Sequence, residues 1–116
     1  MDELIIDRID LLLEHVSLIE RDLEGKTLDD FANSSILTRA TAFSLMQIGE
    51  QMIRLEKYFM DSNPSLPWKN ARNMRNLIVH VYNEVNYKIV YDTALLDLKE
   101  LKDAFLDIKN KLLAEA

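Results

Sequence analysis

Apolar residues recur four and three apart through most of this chain. Ile5, Ile9, Leu12, Val16, Ile19 and Leu23 form the first such run, and residues 3–24 are predicted to be a helix with a seam suited to near-parallel packing. Leu4, Ile6, Leu11, Leu13 and Leu18 widen its apolar surface, so it should touch more than one neighbour, a second subunit included. Asp2 suits the N-cap and Gly25 the end, while His15 reads as a partly exposed helix histidine. Thr27-Leu28-Asp29-Asp30 resembles a capping box and starts a short helix through Phe31 or Ala32. Asn33-Ser34-Ser35 interrupts it and caps the next.

Residues 35–61 are predicted to form a second long helix with Thr41, Leu45, Ile48, Met52, Leu55 and Phe59 as its seam. Gly49 in its middle costs about 1 kcal/mol against alanine, which a close helix approach would explain. Ser62 to Pro67 is a loop with two prolines, and Pro67 suits the first turn of the next helix. Met74, Leu77, Ile78, Val81 and Val85 mark the buried stripe of that helix. It fades around Tyr82–Asn86, with Asn83 and Asn86 as candidate caps. A last helix over 87–113 carries Tyr87, Tyr91, Ala94, Leu98, Leu101, Phe105, Ile108 and Leu112 at the same spacing. The pattern predicts an all-α, up-and-down bundle of four main helices plus a short linking helix.

Composition narrows the reading. A chain of 116 residues, 48% hydrophobic with two Gly and two Pro, fits one helical domain over residues 1–116, of a size that often dimerises. The absence of cysteine removes disulfides and zinc-thiolate sites, and makes the cytoplasm the expected location. The acidic start Met-Asp-Glu-Leu is unlike a signal peptide, and no apolar run approaches the roughly 20 residues of a membrane span.

Charge then singles out one stretch. The chain has net charge −6, yet the window from Trp68 to Tyr91 holds four Lys/Arg (Lys69, Arg72, Arg75, Lys88) against the single acid Glu84. A basic window in an acidic chain suggests a negative partner. On the helix predicted there, Arg72, Asn73, Asn76, His80 and Asn83 lie opposite the apolar stripe, where a solvated face would usually carry Glu and Lys. Trp68 at its start reads as a packing anchor rather than a base-stacking platform. Arg75 and His80 are five residues apart and so point about 140° apart on one helix. A site using both is awkward within one copy, which points to a dimer.

Arg75-Asn76-x-x-x-His80-x-Tyr82, preceded by Pro67-Trp68 and by Gly49-Glu50 in the long helix before it, resembles the HEPN fold and specifically its HepT-like toxin branch. The resemblance covers nearly the whole chain. It implies a homodimer, or a higher even oligomer, with the motif pair lining a cleft between subunits. It also implies an endoribonuclease toxin, transfer RNA being the family-level expectation for its target, with Glu50 in a supporting role. Its partner would be an MntA-like minimal nucleotidyltransferase antitoxin that transfers AMP to the motif tyrosine, here Tyr82. The plain alternative for Tyr82 is a residue half-buried at the helix end.

The residue chemistry is compatible with ribonuclease action. RNA carries its own nucleophile, the 2′-hydroxyl, so a metal is not required. His80 can move protons near neutral pH, and the planar fork of Arg75 matches phosphate oxygens. Asn76, one turn from His80, can orient the imidazole or donate to the phosphate, and Arg72 and Lys69 can hold flanking phosphates. One histidine does not easily serve both ends of an in-line displacement, whereas two copies of His80 across a dimer axis can. The expected products carry a 2′,3′-cyclic phosphate and a 5′-hydroxyl. With two histidines in all and neither His-x-x-x-His nor an acidic cluster on the motif face, no metal or cofactor is expected. The alternatives are a non-catalytic bundle that binds a nucleotidyltransferase partner and nucleotide or RNA without cleavage, and a purely structural dimerising bundle.

Overall fold

The computed structural model describes residues 3–72, 75, 87–96 and 98–115. Their regular structure is entirely helical: α1 (Glu3–Leu23), α2 (Leu28–Ala32), α3 (Ser35–Phe59), α4 (helical at 68–72 and at 75), α5 (Tyr87–Leu96) and α6 (Leu98–Glu115). The last two occupy the span expected to be one helix and lie either side of Asp97, which is outside the described residues. So are the proposed caps Asp2, Asn83 and Asn86, and the stripe Met74, Leu77, Ile78, Val81 and Val85. No described helix is long and apolar enough to cross a membrane.

The local signals act as their chemistry requires. Gly25 adopts φ 71°, a left-handed conformation that ends α1. Thr27 and Asp30 form a full capping box: the Thr27 Oγ1 accepts from the Asp30 N–H at 3.1 Å, and the Thr27 N–H donates to Asp30 Oδ2 at 3.0 Å. Hydrogen bonding to its carboxyl from Thr27, the backbone N–H foremost and the side chain second, holds the exposed Asp30 below its ordinary pKa. Ser34 caps α3 by accepting from the Leu37 N–H at 3.1 Å. That helix stops at Phe59, two residues sooner than its apolar spacing suggests. Just beyond its end the Phe59 carbonyl accepts from both the Asn63 N–H at 2.9 Å and Asn63 Nδ2 at 3.2 Å.

The apolar seams meet in one contiguous core. All six seam residues of α1 and all six of α3 are buried, and these two helices make the most extensive contact among the described residues. At about 1.5–3 kcal/mol for each fully buried aliphatic side chain, the α1–α3 seam is a major favourable contribution to folding. Cross-helix pairs give the topology. Arg8 reaches Gln51 and His15 reaches Ser44 between α1 and α3, Lys109 pairs with Asp10 and Lys102 with Glu20 between α6 and α1, and Arg72 and Arg75 meet Glu56 and Glu50 between α4 and α3. In each set one number rises as the other falls, so neighbouring long helices run antiparallel, as an up-and-down bundle requires. The short α2 sets Phe31 into the core against Tyr91 of α5, whose hydroxyl donates to the Lys26 carbonyl.

His15 departs from expectation. It is 9% exposed rather than partly exposed, shares a 3.1 Å hydrogen bond between Nδ1 and Ser44 Oγ, and meets Phe43 edge-on. Ser44 lies 29 residues away on α3, beyond any spacing argument. Burial lowers the His15 pKa below 6.5, and the nearby Glu14 charge offsets part of that effect. The folded state therefore favours neutral His15.

These contacts make two predictions. Phe105 is fully buried and packs edge-on against Trp68 with ring centroids 6.1 Å apart, so Phe105→Ala should cost about 3–5 kcal/mol in urea unfolding. For His15, the unfolded chain takes up a proton more readily than the folded one. Its contribution is whole above pH 6.5 and is lost as pH falls from 6.5 to the lower folded value. Unfolding curves over that window should show wild type losing stability relative to His15→Gln on acidification; parallel pH dependences would contradict this.

Candidate functional site at the α3–α4 junction

The site begins with the anchoring of α4. Leu66 and Trp68 are buried, and the Trp68 indole Nε1 donates to the Asn63 carbonyl at 2.9 Å. Trp68 is thus the packing anchor its position suggests: its ring fills the space beside Phe105, and its polar edge is satisfied by the loop. Pro67 caps α4 rather than occupying its first turn, its carbonyl accepting from the Ala71 N–H at 3.0 Å. The missing donor of proline costs nothing there.

This anchoring lays the basic residues of α4 along α3. Arg75 Nη1 donates to Glu50 Oε2 at 3.1 Å, and the other carboxylate oxygen, Oε1, accepts from Arg54 Nε at 3.3 Å. Glu50 thereby joins a cation of its own helix to the first residue of the motif. The Arg75 hydrogen bond is the main cause of a Glu50 pKa below its ordinary 4.5; partial burial opposes it, and the charges of Arg75 and Arg54 add to it. One turn earlier on α4, Arg72 pairs with Glu56 of α3. Both arginines keep solvent access, with 39% of the Arg75 and 52% of the Arg72 side chain exposed. Lys69 is exposed. Gly49, next to Glu50, is buried in the middle of α3.

Of the residues singled out in the sequence, Arg75 and Glu50 are brought together, and Arg72 stands beside them on the same helix. Asn76, His80 and Tyr82 lie outside the described residues. Sequence reasoning passed over Glu56 and Arg54. The Arg54 contact was within reach, since Glu50 and Arg54 are four apart on a helix and an acid N-terminal to a base at that spacing pairs well. Glu56 had a weaker signal: two acids on α3 facing two arginines on α4 in antiparallel register.

Known proteins share this arrangement of sequence. Residues 12–108 match the model of the family described as HepT-like, ribonuclease HepT-like. A protein of Caldanaerobacter subterraneus subsp. tengcongensis named a putative RNase is 38% identical over 85% of this chain and 92% of its own length. A protein of Thermococcus cleftensis named probable ribonuclease HepT is 26% identical over 85% of this chain and 90% of its own. No solved structure matches the chain. A family match over most of the sequence, on a helical bundle with the motif arginine held to α3, places the chain in the HepT-like ribonuclease family.

Proposed function

We propose that this protein is a metal-independent endoribonuclease toxin, active as a homodimer, with Arg75, Asn76 and His80 at its centre and Tyr82 as the point of neutralisation. The observation that carries the reading is the Glu50–Arg75 pair, which holds the motif arginine in a fixed place on a helical platform in a chain of this family. The RNA 2′-oxygen attacks the phosphorus while one His80 takes its proton. The bond to the 5′-oxygen breaks, and His80 of the second copy protonates the leaving oxygen. Arg75 neutralises the charge that accumulates on the phosphoryl oxygens, the electrostatic contribution that usually dominates such catalysis. Asn76 orients the imidazole or donates to the phosphate, and Lys69 and Arg72 hold neighbouring phosphates.

Glu50 acts through Arg75 as a positioning residue. One carboxylate oxygen takes one N–H of the guanidinium, a group with further donors to offer a phosphate. An MntA-like nucleotidyltransferase partner would transfer AMP to the Tyr82 phenol oxygen. That places bulk and a negative phosphate two residues from His80, where they exclude RNA. A transfer RNA in the cytoplasm is the expected target.

The central test incubates purified protein with RNA in EDTA, wild type beside His80→Ala, and maps the product ends. Wild-type cleavage leaving cyclic phosphate and 5′-hydroxyl ends, absent in His80→Ala, is expected. Equal cleavage by both proteins would overturn the assignment of His80, and none by either, from protein whose intact mass shows no added AMP, would overturn ribonuclease activity. For Glu50, whose lowered pKa makes its stabilising pair present above pH 4.5 and lost as pH falls through the folded value, a carboxyl NMR titration is decisive. The Glu50 midpoint should rise toward 4.5 in Arg75→Gln. Glu50→Gln should lower kcat about tenfold with a smaller change in KM, as expected for a transition-state contact held less firmly.

A further inference from the structure

A groove of about 750 Å³ opens at the N-terminal end of α1, against the C-terminal half of α3 and the start of α4. It lies in the size range of sites that hold a nucleotide-sized ligand. Its lining runs against the character of the chain. Arg8, Arg54, Lys57 and Arg72 face it with two acids, Glu56 and Asp61, whereas the chain as a whole has 14 Lys and Arg against 20 Asp and Glu. The aromatic wall is Tyr58, 48% exposed, with Lys57 Nζ 5.0 Å from its ring centroid.

We infer that this groove binds a single-stranded segment of RNA flanking the cleaved bond, its phosphates on Arg8, Lys57 and the open edges of Arg54 and Arg72, and a base stacked on Tyr58. Exposed cations beside an accessible aromatic face are the two elements of sequence-tolerant single-strand binding. The half-buried Arg8 hydrogen-bonds a neutral group, the Gln51 amide oxygen at 3.4 Å, and pairs with no carboxylate among the described residues. Arg54 and Arg72 each engage a carboxylate of α3, yet 51% and 52% of their side chains stay exposed, and a guanidinium has five donors. The groove also adjoins the motif: Arg54 lines it and shares the Glu50 carboxylate with Arg75, so an RNA strand leaving Arg75 meets Arg54 next. The choice of RNA as the polyanion rests on the ribonuclease reading above.

The test uses full-length protein carrying His80→Ala, so that RNA stays intact, and a fluorescein-labelled single-stranded RNA followed by anisotropy across a salt series. Arg8→Glu with Lys57→Glu should weaken binding at least about tenfold at low salt and flatten the log–log salt slope by about 1.4, the loss of two single-strand phosphate contacts. Tyr58→Ala should weaken binding about tenfold, and Tyr58→Phe, which keeps the ring, should restore it. Matched helical circular dichroism and thermal melts show that the variants fold. Binding by the His80→Ala parent that the groove variants leave unaltered overturns the inference, as does no RNA binding by that parent. Cleavage by the His80-intact protein is measured in parallel. A groove that binds RNA beside a protein that never cleaves it would refute the ribonuclease reading alone, and cleavage with an indifferent groove would refute the groove alone.

Discussion

Antiparallel packing of α1 on α3 is the constraint on which the rest of this structure depends. Ile9, Leu12, Val16 and Ile19 on one side and Leu45, Ile48 and Leu55 on the other are essentially inaccessible to water. Such a seam fixes the rotation of α3 about its own axis, because turning the helix would carry several of these side chains into solvent at about 1.5–3 kcal/mol each. Once that rotation is set, the positions of Glu50, Arg54, Glu56 and Lys57 are set too. The charged face of α3 is thus a consequence of its buried face. The same seam carries the His15–Ser44 hydrogen bond, a polar pair tolerated in the interior because each group supplies the other's partner.

The second constraint is the entry of α4. Trp68 is locked by packing on Phe105 and by its hydrogen bond to Asn63, so α4 leaves the loop in a defined direction. Two ion pairs then link it to α3. Each is partly exposed, and pairs of that kind contribute at most about 1 kcal/mol. They are too weak to hold the helix by themselves, so orientation, not stability, is what they supply. Glu50 and Glu56 set where the forks of Arg75 and Arg72 point once the tryptophan anchor has set where the helix runs.

How much of this was legible in the sequence depended on the range of the interactions. The seams of α1 and α3, the Thr27–Asp30 box, the Ser34 cap and the Gly25 stop rest on spacings of three or four residues, and each is found where its spacing puts it. Past the end of α3 the Asn63 side chain folds back to the Phe59 carbonyl, a contact that periodicity does not register. The burial of His15 requires Ser44 and Phe43 from another helix, and the engagement of Arg72 requires Glu56, 16 residues before it. The motif singled out Arg75 in the sequence; the register of α3 against α4 shows that Glu50 holds it.

That register also answers an apparent contradiction, an acidic protein whose chemistry calls for a polyanion. Charges separated by more than about 8–10 Å are largely screened at physiological ionic strength, so the net −6 is felt far less at a site than the few groups lining it. Among the described residues the acid paired with Arg75 is Glu50, whose other oxygen accepts from Arg54. A carboxylate in that position does not repel phosphate as a free one would; it holds two guanidinium groups in a shared geometry and leaves their other donors outward. Acids elsewhere on the surface are spread along α1, α5 and α6, several of them in pairs with lysines such as Lys88–Asp92 and Lys111–Asp107. The acidic surface thus disfavours indiscriminate adhesion to nucleic acid, while Arg54, Arg72 and Arg75 gather positive charge at the α3–α4 junction.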